Sequence, residues 1–297
     1  MKLESLLYYI NLTKNPDYLK WFFLSKIKNN VELINKYSAN CKSFGINRPY
    51  FILSFDCDTD KDASVVELVN EKLLKNNIHA MYAVPIEILK KSMNNYKNIL
   101  DSGNYFINHG YRSHTNFNAS NQSYEITLNY LNLNKQEIYE DILKAHNFLS
   151  DFLGYQPDTF RTPHFGYAQS KKQLNDIHNI LMELNYKFSS STNPFYGFSN
   201  KQVPLKKNNL LEFPISGRYT KPLSILDSWV YMINKNSLKP NDYIIEIKEY
   251  IKFFKEYNPP FILNIYADPS HIDKFDEFFR IIKELEEFNV RSYSEII

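Results

Sequence analysis

Three short segments gather the side chains that could do chemistry. Ser54-Phe55-Asp56-Cys57-Asp58-Thr59-Asp60 follows directly on an apolar run. Side chains alternate along a strand, so Asp56 and Asp58 share one face while Cys57 points to the other. Two carboxylates side by side repel each other, and a cation between or beside them relieves the cost. An Asx-rich turn capping the next helix is the competing use of the same residues, and it is the reading for Asp60 and Asp62. Ile107-Asn108-His109-Gly110-Tyr111-Arg112-Ser113-His114 brings two imidazoles into one loop. With a carboxylate from another strand, they complete a His₂Asp set suited to a first-row metal, leaving a position open for water. Phe160-Arg161-Thr162-Pro163-His164-Phe165-Gly166-Tyr167 sets an Arg at a strand end before a stiffened loop. That Arg can hold a carboxylate, and the loop can offer N–H groups to an oxyanion; a structural salt bridge is the alternative.

The elements that must position these residues read as alternating strands and helices. Short apolar strands are expected at 50–55, 78–84, around Ile107, ending at Phe160, at 186–189, 210–215 and 261–266. Helical spacing is expected at 63–74, 136–152, 171–184 and, as one long last helix, 272–288. Near-continuous apolar strands separated by helices imply a parallel sheet covered by helices, and at this length a closed or partly closed β/α barrel. Chemistry in such folds sits at the C-terminal ends of the strands, where all three segments fall. Residues 1–48 read as a helical extension packed on the main domain, with Leu19, Phe23, Ile27, Val31 and Ile34 spaced by three or four; the β/α domain takes 49–297.

Composition narrows the function further. Lys and Arg number 35 against 33 Asp and Glu, which excludes a strongly basic nucleic-acid binder. None of the seven glycines forms GxGxxG, GxxxxGK[ST] or GxSxG, so dinucleotide, P-loop and hydrolase-elbow chemistry are excluded. The 16% aromatic content suits stacking on sugars, although a core of Phe and Tyr accounts for it more simply. Cys41 and Cys57 have no CxxC spacing and are expected as reduced thiols. Glu4 and Asn11 interrupt any secretory h-region, and apolar patches such as 21–24 fall far short of the ~20 residues of a membrane span. A cytoplasmic protein is expected. His79, His146 and His178 lie away from the strand ends and read as structural or surface residues.

In this order, the Asp pair, the His pair and the Arg-x-Pro loop resemble the polysaccharide deacetylase family, the NodB-homology group or carbohydrate esterase family four, over about residues 50–291. Leu211-Glu212-Phe213-Pro214-Ile215-Ser216 resembles the family's barrel-wall strand, and Asp227-Ser228-Trp229 its Asp/Trp motif. The resemblance implies a distorted (β/α)7-type barrel and an N-deacetylase of N-acetylated sugars. It implies one divalent ion, zinc first among the first-row metals, held by Asp58, His109 and His114. Asp56 becomes the general base with Arg161 as its partner, Asp227 tunes the acid, and the loop at His164 and Phe165 supplies an oxyanion N–H. Phe165, Tyr167 and Trp229 are candidates for packing on a pyranose, or for the core.

Three departures from the family pattern stand out. Cys57 separates the two Asp residues. His109 and His114 are i, i+5 rather than i, i+4, so their loop must bulge. Asp268, directly before Pro269, stands where the family has its acid His, which leaves the acid open between Asp268, His271 and His164. The expected compartment favours a nucleotide-linked or lipid-linked sugar. Another amide hydrolase on the same scaffold, and a sugar-binding protein that has lost its acid, are the alternatives.

Overall fold

A computed structural model describes residues 16–164, 166–233 and 238–297. Its strands are β1 Pro49–Asp56, β2 Met81–Val84, β3 Tyr105–Asn108, β4 Thr115–Asn118, β5 Ser123–Ile126, β6 Thr159–Phe160, β7 Phe188–Ser189, β8 Leu205–Lys207, β9 Leu210–Glu212 and β10 Phe261–Ala267. One sheet runs β10-β1-β2-β3-β6-β7-β9-β8. Every neighbouring pair in it is parallel except the β8–β9 hairpin at its edge. The seven parallel strands form the curled wall of a distorted (β/α)7-type barrel.

The strand register explains why the chemistry converges. Asp56 pairs with Ala83, Val84 with Asn108, Asn108 with Phe160, Phe160 with Ser189, and Ser189 with Glu212. Phe55 pairs with Ala267 on the other side. The C-terminal ends therefore form one rim, and the residues just beyond them face one another. Between β9 and β10 the ladder is open, and Asn264 stitches it. Its amide donates to the carbonyls of Phe213 and Pro214 at 3.2 Å, while Ser216 N donates to Asn264 O at 2.8 Å.

The helices follow from capping and buried faces. Thr59 caps helix Asp60–Leu74 in a reciprocal box with Asp62, the expected use of that carboxylate. Asn134 and Glu137 do the same for helix Lys135–Leu153. Helix Asn30–Phe44 lies against the open side: Tyr37 Oη donates to Ile262 O at 3.1 Å and stacks on Phe261. Of the apolar positions that suggested an N-terminal packed stripe, Ile34 is buried, but Phe23, Ile27 and Val31 are exposed.

Several features differ from the sequence reading, and four of them are the largest. The last helix is not continuous over 272–288. It comprises Pro269–Ile272, Asp276–Ile282 and a tighter 3₁₀ stretch Lys283–Phe288. There buried Leu285 and Phe288 repeat every three residues, matching the 3₁₀ period. The strand expected at 210–215 ends at Glu212, because residues 213–216 turn to reach Asn264. Helix Pro240–Tyr257 and the β4–β5 hairpin have no counterpart in the reading.

Candidate active site

Asp58, His109 and His114 are brought together by β1 and β3. One ligand atom from each lies within 4.8 Å of the others. Both histidines are fully buried, and their Nε2 atoms approach the same Asp58 oxygen, His109 at 3.3 Å and His114 at 2.9 Å. None of these three atoms makes a properly aligned hydrogen bond, although all are buried. His109 Nδ1 lies 2.9 Å from Arg161 O. A carbonyl can only accept, so Nδ1 carries hydrogen, and in its neutral form the ring turns the Nε2 lone pair toward the carboxylate.

Such facing lone pairs call for a positive charge between them. Donors at about 2.0–2.2 Å from one ion would stand roughly 3.0–3.5 Å apart, as these do. The electrostatics agree. Burial works against a charge on His109, but the Asp58 and Asp56 carboxylates outweigh it and raise its pKa. Burial would likewise raise Asp58, yet the two histidines hold it well below the usual carboxylate range. Among the described residues this is the one three-residue group suited to a metal ion. The donor set fits the divalent cation expected from the sequence.

The loop between the histidines bulges as the extra residue requires. Gly110 has φ +83, and a Cβ there would lie 2.6 Å from Asp141 Oδ2 and 2.9 Å from Tyr130 Oη. Asp141, buried on helix Lys135–Leu153, accepts from Tyr111 N at 3.1 Å, Arg112 N at 3.3 Å and Arg112 Nε at 2.8 Å. Tyr130 Oη donates to it at 2.7 Å. The sequence reading missed Asp141. Its only signal was a carboxylate on the apolar face of an amphipathic helix.

Beside the triad, Asp56 Oδ1 receives Arg161 Nη1 at 2.6 Å. Arg161 is fully buried; it also donates through Nη2 to Ser54 Oγ at 2.8 Å and through Nε to Ser190 O at 3.3 Å. The strand end bearing Ser190 is fixed by Glu212, which accepts from Ser191 N at 2.7 Å and from Thr192 N at 2.9 Å. Burial would raise Glu212, but its hydrogen bonds, His178 foremost, outweigh that and lower it. His178 is thus structural, and His146 similarly meets Tyr186 Oη at 3.0 Å. Cys57 points into the core, away from Asp56 and Asp58, and Cys41 is a buried free thiol too.

A second polar group follows β10, the strand next to β1, on the same rim. Asp268 N donates to Ser228 Oγ at 3.0 Å, and Ser228 Oγ lies 3.0 Å from His271 Nδ1. Asp268 Oδ2 is 3.3 Å from that same nitrogen. Burial, with Asp62, Asp58, Asp56 and Asp227 nearby, pushes Asp268 well above the usual carboxylate range. Burial lowers His271 to about 3. The two shifts are consistent, because a neutral Asp268 gives His271 no carboxylate to pair with. Asp227 caps helix Ser228–Met232 through Val230 N at 2.8 Å and receives Tyr266 Oη at 3.3 Å; burial raises it to about 6.

The remaining candidates are placed as follows. His164, at φ +46, approaches His114 O with Nε2 at 3.0 Å, and burial lowers it to about 4. Tyr167 N donates to His164 O at 3.0 Å. Phe165 lies outside the described residues. Trp229 is partly exposed and meets Tyr124 of β5 edge-on at 4.9 Å.

The curled β/α barrel thus carries a His₂Asp set and an Arg-held carboxylate on its rim. The family model for polysaccharide deacetylases matches residues 46–187, the segment that carries Asp56, Asp58, His109, His114 and Arg161. Solved structures share the fold. A putative polysaccharide deacetylase from Mycobacterium smegmatis superposes with TM-score 0.59 at 12% identity, over 84% of this chain and 89% of that one. PuuE allantoinase gives 0.53 at 13%, over 83% and 87%. A polysaccharide deacetylase from Bacillus cereus gives 0.50 at 16%, over 83% and 94%. No curated protein matches the chain.

Proposed function

We propose that the chain is a metal-dependent hydrolase that removes the N-acetyl group from an N-acetylated sugar. One observation carries this reading: the buried, unsatisfied donors of Asp58, His109 and His114 face one point beside Asp56. Those three residues would hold a divalent ion, zinc foremost, which would supply carbonyl polarisation and lower the pKa of a bound water toward about 7.

The chain's own residues supply the proton transfers. Arg161 occupies one oxygen of Asp56 and fixes its plane, leaving the other oxygen to take the proton from the attacking water. The acetamide carbon gains that oxygen, the C–N bond breaks, and the leaving nitrogen needs a proton. His164 and His271 are neutral near pH 7, since burial lowers them to about 4 and about 3. Asp268 keeps its proton and stands in the position of the family's acid. It is the proton donor, with His271 and Ser228 holding its orientation. The products are acetate and a free amino sugar.

Metal analysis of the purified protein, paired with acetate release from N-acetylated sugars, tests this. Stoichiometric divalent metal and metal-dependent acetate release are expected. Full activity after metal stripping, or release of formate or a ureide instead, would overturn it.

A further inference from the structure

The β4–β5 hairpin begins directly after His114 and brings Tyr124 to the polar group that follows β10. The Tyr124 ring meets Trp229 edge-on at 4.9 Å, and its hydroxyl lies 3.4 Å from His271 Nε2. Lys61 Nζ approaches the same hydroxyl at 3.4 Å. The ammonium is seated 4.6 Å over the ring of Phe117, the register partner of Tyr124 across the hairpin.

Donors and acceptors give this chain of groups a direction. An ammonium only donates, so Tyr124 Oη accepts from Lys61. Burial raises the phenol to about 12, so it keeps a hydrogen to give. That hydrogen finds His271 Nε2 as its acceptor, which leaves the neutral imidazole with its own hydrogen on Nδ1. Nδ1 stands 3.3 Å from Asp268 Oδ2 and 3.0 Å from Ser228 Oγ, and both can accept from it. With Oδ2 receiving from His271, the proton that Asp268 retains belongs on Oδ1. The Asp268 side chain is 14% exposed and that of His271 0%, so only the carboxyl can meet a leaving group. The opposite tautomer would turn the Nδ1 lone pair to Oδ2 and draw the acid's proton there, away from the cleft.

We propose that Tyr124, oriented by Lys61, is a positioning residue for proton donation: it fixes the His271 tautomer and so directs the Asp268 proton to Oδ1. The inference rests on the deacetylase reading with Asp268 as the donor. As the C–N bond breaks, the Oδ1 proton passes to the leaving nitrogen. The new carboxylate keeps its hydrogen bond from His271, and the proton that Asp56 takes from water balances the one given.

Tyr124→Phe removes the hydroxyl alone and keeps the ring beside Trp229. In the zinc-loaded variant, kcat on an N-acetylated sugar should fall about tenfold, a part of the ~10²–10⁴ that a positioned acid contributes. KM, metal content and thermal midpoint should not change. Hydrolysis of para-nitrophenyl acetate, whose phenolate leaves without a proton, should be unchanged too, whereas a merely structural role would lower both rates. Nitrogen NMR of the His271 imidazole should show hydrogen on Nδ1 in the wild type and a gain of the Nε2–H form in the variant. An unchanged kcat on the sugar, an equal loss on both substrates, or Nε2–H in the wild type would overturn the proposal. If no N-acetylated sugar releases acetate, the deacetylase reading fails, and NMR still decides whether Tyr124 fixes the tautomer. The same tautomer in both proteins overturns that step, and a change supports it.

Discussion

Arg161 Nη1 lies 2.6 Å from Asp56 Oδ1, and both side chains are buried. The guanidinium is fixed at three more points by Ser54 Oγ, Ser190 O and Ser190 Oγ. This rigid mount makes Asp56 available in one orientation only. Removing the cation leaves a buried, unpaired carboxylate, a loss of about 3–5 kcal/mol for a pair of this kind. Arg161→Met should therefore unfold at markedly lower denaturant. Asp56→Asn should keep the metal and fold while losing turnover by about 10²-fold or more. Chemical denaturation and metal content, measured together, check both.

The metal set gives a different signature. Asp58→Asn, His109→Ala and His114→Ala should each lower bound metal and acetate release in parallel. Added divalent ion should raise the thermal midpoint of the wild type but not of these variants, because an ion bound only by the folded state stabilises it. A variant that keeps full metal content would remove its residue from the set.

Asp141 should matter without touching the reaction. It holds Tyr111 N and Arg112 N and so sets the spacing of His109 and His114. Outer partners of metal ligands typically carry about 10–100-fold in affinity. Asp141→Ala should weaken metal binding by that order, and Gly110→Ala should do the same, since its Cβ would strike the Asp141 carboxylate. Competition against a chromogenic chelator gives the affinities.

Much of this geometry was legible in the sequence because strand ends are marked by the change from apolar runs to Asp, His and Arg. Asp56, Asp58, His109 and Arg161 fall within two residues of a strand's C-terminal end, and His114 lies six residues past β3. Chain order then sufficed to bring them to one rim. The supports were not legible. Asp141 and Glu212 act on backbone N–H groups far along the chain, and no local pattern distinguishes such a carboxylate from a solvated one. The β4–β5 hairpin was missed because its alternation is of Thr, Asn and Phe against Ser, Tyr and Glu, too polar to read as a strand. The break before Asp276 was hidden because apolar Ile272, Phe275, Phe278 and Phe279 keep near-helical spacing across it.

The proton donor separates Asp268 from its neighbour. Asp268→Asn should retain metal and lower kcat strongly, whereas His271→Gln, which keeps a hydrogen-bonding side chain beside Asp268, should lower it less. If the order is reversed, His271 is the acid.

Asp62 provides a pH test away from the chemistry. It accepts from Thr59 N, Thr59 Oγ1 and Ser270 N, and burial raises its pKa to about 6. Because the folded value lies above the unfolded 3.8, the folded state binds the proton more tightly. Its contribution is therefore fully present below pH 3.8 and lost as pH rises through 6. A shift of that size corresponds to about 3 kcal/mol. Asn cannot ionise, so Asp62→Asn removes this dependence whatever its constant cost from the altered hydrogen bonds. The stability difference, wild type minus variant, should fall by about 2 kcal/mol between pH 4 and pH 7 in metal-free protein. His164 and His271 oppose this trend in the wild type, since folding holds them neutral and that stability is lost as pH drops below 6.5 toward 4 and 3. Their effect is common to both proteins and cancels in the difference. A difference that stays constant across the range would show Asp62 to be ionised throughout, and would shift the burden of the buried carboxylates onto Asp268 and Asp227.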